Sequence, residues 1–309
     1  MIKSRYKPTR RVLLFWTLFI GIGAVAGAVG MFVDPSGKTM GMDAMLPFFE
    51  KLPLADILFR NFLFSGIALL IVNGLTNLAA AALIILNKRA GLVLGGVFGV
   101  TLMLWICIQF YMSPFNFMST SYFVFGLVQA ITGYMACVFY DQEKFAEGET
   151  GRKYPNIGRN PRKLVVYFSR MGYTRKIALE EAERTGADVY EIKSTERTEG
   201  TLGFWWCGRY GMHKWEMPTE PISAELEKYD EVTICTPIWV FALASPTRAF
   251  CRAAYGRIKS AEYILVHHEK SFYKNAYDEM DELLGLRNTP VKSLCCRRGK
   301  IIKEIKRSD

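Results

Sequence analysis

Long uncharged apolar runs dominate the first 140 residues of the chain. Residues 12–33, 61–87 and 90–140 contain no Asp, Glu, Lys or Arg. A bilayer core about 30 Å thick is crossed by about 20 helical residues, so the last run is long enough to cross twice. The pattern therefore predicts four transmembrane helices, near residues 12–33, 58–86, 90–112 and 119–140, with tight turns at residues 87–89 and around Pro114.

Basic residues flank these predicted helices in three clusters, which are Lys3, Arg5, Lys7, Arg10 and Arg11; Lys88 and Arg89; and Arg152, Lys153, Arg159, Arg162 and Lys163. Lys and Arg concentrate on the cytoplasmic ends of membrane helices. Four spans with both termini in the cytoplasm agree with all three clusters, and we expect an integral protein of the plasma membrane. A cleaved signal peptide is the alternative for the first run, but such signals usually hold only about 7 to 15 apolar residues.

The pattern changes after a linker predicted over residues 141–161. Short apolar runs then alternate with helical stretches. Such alternation is typical of a parallel sheet covered by helices on both faces, so residues 162–309 are predicted to form an α/β domain. Its five expected strands are Leu164–Phe168, Asp188–Ile192, Val232–Cys235, Tyr263–Val266 and Val291–Cys295, and its expected helices are Thr174–Thr185, Ser245–Ala254 and Phe272–Leu284.

Composition and charge exclude several functions. Membrane topology and anionic lipid account for the net charge of +10, so no nucleic-acid partner is expected. All three histidines lie beyond residue 140, and no carboxylate or Arg lies in the middle of a span. This excludes a haem held between spans by paired histidines and a proton relay of intramembrane ionisable groups. The seven cysteines have no metal-ligand spacing, so no metal site is expected.

The first predicted strand of the α/β domain ends in a segment with phosphate-binding chemistry. Backbone N–H groups at a flexible turn and a helix N-terminus form a nest suited to an anion. Neither GxGxxG nor GxxxxGK[ST] is present, and on this segment alone an empty turn remains an alternative. The segment reads Ser169-Arg170-Met171-Gly172-Tyr173-Thr174, with a helix predicted from Thr174 onwards.

A second loop strengthens this prediction. The third strand ends in Thr236-Pro237-Ile238-Trp239-Val240. Together the two loops resemble the flavodoxin-like family, in which a similar Thr/Ser-Pro-Ile-Trp segment lies beside FMN and the first loop runs Ser-x-Thr-Gly-Asn-Thr. The resemblance covers about residues 162–302. It implies a flavodoxin-like fold with one non-covalent FMN, its phosphate at residues 169–174 and its isoalloxazine ring along residues 236–240, where Trp239 offers a flat apolar face.

Three features depart from that family. Met171 stands where Thr is usual, and Tyr173 where Asn is common. The loop after the fourth strand lacks the usual glycines and carries His267 and His268, which either contact the flavin or lie on the surface. Residues 196–215 resemble a Gly-aromatic insertion of some short flavodoxin-like proteins and are expected in place of an amphipathic helix. A flavin cap, a membrane contact, a quinone-facing wall and a packed loop are all open roles for this segment.

These features together predict a membrane-anchored flavodoxin-like protein that transfers electrons, with a quinone or a partner redox protein as the other reactant. No catalytic side chain is expected, because the flavin carries the redox chemistry. An oxidoreductase with a defined substrate, as in the flavodoxin-like protoporphyrinogen oxidases, is one alternative. A membrane-tethered binding or regulatory module, whose degenerate flavodoxin domain has lost FMN, is the other.

Overall fold

The chain folds into two compact units, residues Met1–Lys144 (unit 1) and Phe145–Asp309 (unit 2). The computed structural model describes residues 5–113 and 116–305. Pro114 of the predicted turn, Lys3 of the first basic cluster and the last four residues of the predicted α/β domain lie outside the described residues.

Unit 1 holds the four long apolar helices that the sequence predicts. The described residues include four helices long and apolar enough to cross a membrane. A 3-10 helix (Asp43–Lys51) and the short α2 (Ala55–Leu58) lie between the first and second. The second long helix is continuous through a π-helical turn at Leu70–Leu75. The four long apolar helices are α1 (Tyr6–Val33); α3 (Leu63–Leu69) joined through that turn to α4 (Thr76–Ile85); α5 (Arg89–Met112); and α6 (Phe117–Glu149).

Helix α6 is longer than its predicted span, residues 119–140, and takes in half of the predicted linker. The sequence from residue 141 to residue 147 is Asp-Gln-Glu-Lys-Phe-Ala-Glu, which contains neither Gly nor Pro. Glu, Gln, Lys and Ala all have good helix propensity, so the helix continues where the hydrophobic pattern ends. Hydropathy marks the end of the apolar segment, which differs here from the end of the helix.

Glycines and buried polar side chains hold the bundle together. A Cβ added to Gly99 would lie 2.6 Å from the Gly126 carbonyl oxygen, so α5 and α6 pack backbone against backbone. The buried Gln129 side chain donates through Nε2 to Asn77 Oδ1 and to the Gly95 carbonyl, both at 2.7 Å. These bonds join three of the four long apolar helices, so buried amide side chains contribute to packing between the helices.

Unit 2 is built on one twisted sheet of seven strands. These are β1 (Asn160–Tyr167), β2 (Ala187–Glu191), β3 (Glu231–Trp239), β4 (Ala242–Leu243), β5 (Ala261–His267), β6 (Val291–Arg297) and β7 (Lys300–Ile305). The order is β2-β1-β3-β5-β6-β7, with β4 paired to β3. The five predicted strands are the parallel ones. Numbered one to five in chain order, they lie across the sheet in the order 2-1-3-4-5, which is that of flavodoxin-like sheets.

The predicted total of five strands is wrong, because two antiparallel strands extend the sheet. β7 pairs with β6 through a two-residue turn at Arg298 and Gly299, both with positive φ. β4 pairs with β3 over only two residue pairs. Neither has the continuous apolar run of a buried parallel strand, since β7 is a charged edge strand reading KIIKEI and β4 has two residues.

Helices cover both faces of the sheet, as the alternation predicts. They are α7 (Tyr173–Thr185), α8 (Gly200–His213), α9 (Ser245–Ala253) and α10 (Lys274–Leu284). Along β1, Leu164 and Val166 belong to one core with Phe250 of α9, while Val165 belongs to the other with Ile177 of α7. This two-residue alternation places one hydrophobic core on each side of the sheet.

The expectation of an insertion instead of a helix at residues 196–215 is wrong, because residues Gly200–His213 form α8. Gly203, Cys207 and Gly211 recur every fourth residue and are all buried. A Cβ at Gly203 would lie 2.5 Å from the Thr198 carbonyl oxygen, and one at Gly211 would lie 3.2 Å from Trp239 Cβ. The glycines thus form the inward face of a helix that approaches its neighbours closely.

Candidate functional site

The candidate site lies where the strand order of the sheet reverses. β1 pairs with β2 on one side and with β3 on the other. Tyr167 at the end of β1 is paired with Cys235 of β3, so the loops that follow these strands lie side by side. Ligands of such sheets bind in the crevice outside the carboxyl ends of the strands, at this point.

The loop after β1 is closed by its own serine. The Gly172 N–H donates to Ser169 Oγ at 3.1 Å, and Gly172 has φ of +89°. Gly172 is the residue from which α7 begins, and its left-handed conformation is one that glycine adopts without steric cost. The predicted hydroxyl of Ser169 thus shapes a turn of the kind in which successive N–H groups form an anion-binding nest.

The first turn of α7 favours an anion. Thr174 is buried there, and the turn contains no acidic residue. The first N–H groups of a helix have no intrahelical acceptor and carry the positive end of the helix dipole. Arg175 adds positive charge at this end, whereas the Lys176 ammonium already lies 3.5 Å from a Glu149 carboxylate oxygen and donates to the Gly299 carbonyl at 3.2 Å. A bound phosphate would complement both the N–H groups and the Arg175 side chain.

Two predicted contact residues of this loop, Arg170 and Tyr173, direct their side chains to protein neighbours. Arg170 donates through Nε to the Thr198 carbonyl at 2.9 Å and through Nη2 to the Gly200 carbonyl at 3.1 Å, and its guanidinium lies 5.3 Å from the Phe204 ring centre. Arg170 therefore fastens the loop to the start of α8. Met171 is half-buried.

Tyr173 meets a residue that the sequence does not identify as part of the site. Its ring packs edge-on against Phe145, with centroids 4.7 Å apart. Phe145 Cε1 also lies 3.1 Å from the position of a Cβ added to Gly172. Phe145 is the last aromatic residue of α6, and its distance in sequence from the loop leaves no signal that could have found it.

The loop after β3 is a strained hairpin turn. Ile238 pairs with Leu243 and Trp239 pairs with Ala242, which leaves Val240 and Phe241 as the two turn residues. Their φ values are +47° and +61°. Two positive φ angles define a type I′ turn, which usually takes Asn-Gly, and non-Gly residues in sparsely populated regions cost about 1–3 kcal/mol each. Such strain is characteristic of functional loops, and here it falls on the loop predicted to hold the flavin ring.

The segment predicted as the flavin-ring loop is strand up to residue 239, because β3 continues through Trp239, beyond its predicted end at Cys235. The side chains of this segment are placed in two ways. Thr236 is fully buried and its hydroxyl donates to Thr247 Oγ1 at 2.8 Å, so it stabilises the loop from within. Pro237, Ile238 and Trp239 are half-buried at the crevice. The Trp239 ring packs edge-on against Phe168, with centroids 5.4 Å apart. Trp239 is thus partly buried against the core of unit 2, and Thr247 is a supporting residue that the sequence did not reveal.

The two histidines after β5 differ from each other. His267 is only 6% exposed, which contradicts a surface position for it. Its Nε2 lies 2.8 Å from Ser293 Oγ and its Nδ1 lies 2.6 Å from the Glu269 carbonyl oxygen. His268 is exposed, as the surface alternative expects. Both ring nitrogens of His267 are therefore occupied by protein partners.

Burial of His267 predicts a pH dependence of stability. Burial lowers the pKa of its imidazole below the ordinary value of 6.5, against the opposing effects of the Glu269 carbonyl and carboxylate. Below about pH 6.5 the unfolded chain therefore binds more protons at His267 than the folded chain does. The contribution of neutral His267 to the free energy of unfolding is complete above that pH and is lost as the pH falls towards the folded pKa. We expect the urea midpoint of unit 2 in the full-length protein to fall below pH 6.5, and the fall to be smaller in His267→Asn. An equal fall in both proteins would contradict this assignment.

Burial also keeps nearby nucleophiles neutral. It raises the pKa of the Tyr167 phenol to about 12 and that of the Cys207 thiol to about 11. The pKa of the fully buried Cys235 thiol is raised as well. Within residues 5–113 and 116–305, no three His, Cys, Asp or Glu side chains are close enough to hold a metal ion. The groups that the site offers are backbone donors and apolar surfaces.

No protein-family model and no curated protein matches this chain. Solved structures that resemble it include a flavoprotein in complex with FMN from Lactobacillus acidophilus NCFM (16% identity, TM-score 0.36, 43% of this chain and 91% of that one). A putative flavoprotein from Bacteroides eggerthii has 20% identity and a TM-score of 0.39, over 45% of this chain and 92% of that one. Another from Bacteroides uniformis has 22% identity and a TM-score of 0.38, over 43% and 89% respectively.

Proposed function

We propose that this chain is a membrane-anchored flavoprotein, which binds one FMN non-covalently at the carboxyl end of its sheet and transfers electrons. The observation that carries the proposal is the juxtaposition of two loops at the reversal of strand order. One is an anion-binding turn that leads into α7 at Gly172, and the other is the strained hairpin that contains Trp239. The first suits the phosphate and the second suits a flat aromatic ring.

Different residues of the site would bind the phosphate and the ring of FMN. Backbone N–H groups of the turn and of the first turn of α7 would bind the phosphate, with Ser169 holding the turn in shape. Trp239 and the exposed turn residue Val240 would line the ring and shield it from water. When bound, FMN supplies the electron-transfer chemistry, while the protein supplies orientation and electrostatic environment.

The four apolar helices support the membrane part of the proposal. Their flanking basic residues favour both termini, and therefore unit 2, on the cytoplasmic side of the plasma membrane. An anchor of this kind would keep the flavin near lipid-soluble acceptors. A quinone is therefore our first candidate for the other reactant, and a partner redox protein is the second.

One set of contacts favours the competing function, a membrane-tethered binding module that has lost FMN. Ser169, Arg170 and Thr236 all direct side-chain polar atoms to protein partners. The Gly172 N–H of the turn is itself bonded to Ser169 Oγ, whereas the first N–H groups of α7 do not depend on these side chains. Because those N–H groups remain as donors for a phosphate, we favour FMN binding.

A pair of variants at Ser169 tests the proposal. Ser169→Asp would put a carboxylate in the turn, and repulsion of the phosphate is expected to raise the Kd for FMN at least about tenfold, equivalent to about 1.4 kcal/mol. Ser169→Thr keeps the hydroxyl that accepts from Gly172 and is expected to bind as the unmodified protein does. The measurement is the quenching of FMN fluorescence on titration with each full-length protein in detergent. Equal binding by the Asp and Thr variants would contradict a phosphate site in this turn.

A further inference from the structure

Helix α8 has its large apolar side chains on the outside. Gly203, Cys207 and Gly211 form its buried face. On the opposite face, Leu202 is 65% exposed, Trp205 is 69% exposed and Met212 is 67% exposed. Surface helices normally bury their large apolar residues against the core and expose polar ones. The reversed arrangement leaves an apolar face on unit 2 that no described residue covers.

The aromatic side chains of α8 are interleaved with cationic ones. The Arg209 guanidinium lies 5.4 Å from the ring centres of both Trp206 and Trp215. Arg209 is the one formally charged residue between Gly200 and His213, and Lys214 follows at the end of the helix. Trp side chains beside Lys and Arg, on a helix with an apolar face, are characteristic of helices that lie in the membrane interface.

We propose that this outward face of α8, formed by Leu202, Trp205, Trp206, Arg209 and Met212 and called here the α8 face, docks on the surface of an anionic lipid bilayer. The proposal rests on the membrane anchoring proposed above. Apolar and Trp side chains would enter the boundary between headgroups and acyl chains, and Arg209 and Lys214 would lie among anionic headgroups.

Because unit 2 would be tethered to the membrane, even a weak contact between the α8 face and lipid could keep it docked. Four spans on the same chain would hold unit 2 beside the bilayer, so docking would be an intramolecular event at high effective concentration. A few apolar side chains and two basic residues could then maintain a docked state that they would not maintain in a freely diffusing domain.

The helix that carries the α8 face is in contact with both loops of the candidate site. Arg170 of the first loop donates to the Thr198 and Gly200 carbonyls at the start of α8. Gly211, near the end of the helix, packs against Trp239 of the second loop. Docking through α8 would therefore bring the flavin end of the sheet to the lipid surface, where a membrane quinone is dissolved.

The test measures the depth of single fluorescent labels in the full-length protein, reconstituted at one copy per lipid nanodisc. An NBD label is placed at Met212→Cys on the α8 face, or at the control Lys259→Cys, an exposed position just before β5 at the opposite, amino-terminal end of the strands. Both proteins carry Cys107→Ser and Cys137→Ser, because the other five cysteines are buried and protected from the label.

Docking predicts that lipids with a doxyl group near the headgroup quench the label at 212 at least about twofold more than the label at 259, since an interfacial helix buries its apolar face about 5–10 Å deep. Replacing anionic by zwitterionic lipid is expected to lower the ratio of docked to undocked protein by about fivefold for each of the two basic residues, equivalent to about 1 kcal/mol each. Arg209→Glu is expected to lower the same ratio by at least about fivefold. Equal quenching at 212 and 259 in anionic discs would overturn the proposal.

Two controls distinguish lipid docking from self-association and from failed insertion. The first control compares discs that hold one copy with discs that hold two. If the label at 212 becomes shielded from water only when two copies share a disc, a second copy of this chain is the occupant of the α8 face, which would overturn lipid docking. Flavin absorbance and comigration with the disc are recorded on the same samples. A chain that incorporates and binds FMN but shows equal quenching contradicts docking alone, whereas a chain that does not incorporate contradicts the anchoring itself.

Discussion

A Gly172→Ala variant is expected to bind FMN at least about tenfold more weakly than the unmodified protein, equivalent to about 1.4 kcal/mol. Gly172 has φ of +89°, a conformation that costs an L-residue about 1–2 kcal/mol. The new Cβ would also lie 3.1 Å from Phe145 Cε1, so the ring or the turn must move. Either movement displaces the N–H groups that would hold the phosphate. Fluorescence titration with FMN measures the effect.

Gly186→Ala is the matched control for this variant. Gly186 follows the other end of the same helix, α7, and its φ is +73°, so alanine there suffers a similar backbone strain. The two variants should lose similar stability to urea, but Gly186→Ala should retain the FMN affinity of the unmodified protein. Similar losses of FMN affinity in both variants would show that the effect reflects general destabilisation, and would contradict the role assigned to Gly172.

The largest effect on stability is expected at Arg248. Its side chain is 3% exposed, forms a bidentate ion pair with Glu279 of α10, and donates through Nη1 to the Trp215 carbonyl at 3.1 Å. Removing one partner of a buried pair leaves the other charge uncompensated, which typically costs about 3–5 kcal/mol. Arg248→Met should lower the free energy of unfolding of unit 2 by about that amount, as measured by urea unfolding of the full-length protein in detergent.

Two further variants establish the cause of that loss. Arg252→Met, one turn later on α9, breaks an exposed pair with Glu216 and should cost less than about 1 kcal/mol. The double variant Arg248→Met, Glu279→Met should regain a large part of the stability, because no unpaired charge remains. If Arg248→Met lowers the free energy of unfolding by no more than Arg252→Met does, the buried pair does not stabilise unit 2 as expected.

The parallel strands and the long apolar helices could be predicted because each depends on a local pattern. Uncharged runs such as residues 90–140 identify long apolar helices, and buried apolar runs such as Leu164–Phe168 identify parallel strands. β7 was missed because a charged edge strand needs only one partner and no apolar run. α8 was missed because its glycines suggested a loop, whereas their regular spacing makes the helix face that packs closely.

The candidate site was predictable to a similar extent. Sequence placed both loops at strand ends, because a strand, a turn and a helix follow one another locally. It did not reveal Phe145 against Gly172 or Thr247 against Thr236, since these contacts depend on tertiary packing between distant segments. It left the position of His267 open, because two hydrogen-bond partners and the burial of its ring become visible only in three dimensions.

The most direct test of FMN binding is the absorption spectrum of the full-length protein purified in mild detergent, with chromatographic identification of any cofactor released on denaturation. The account predicts flavin bands and about one FMN per chain. A colourless protein that is folded by circular dichroism and does not take up added FMN would contradict it, and would leave the membrane-tethered binding module as the better description.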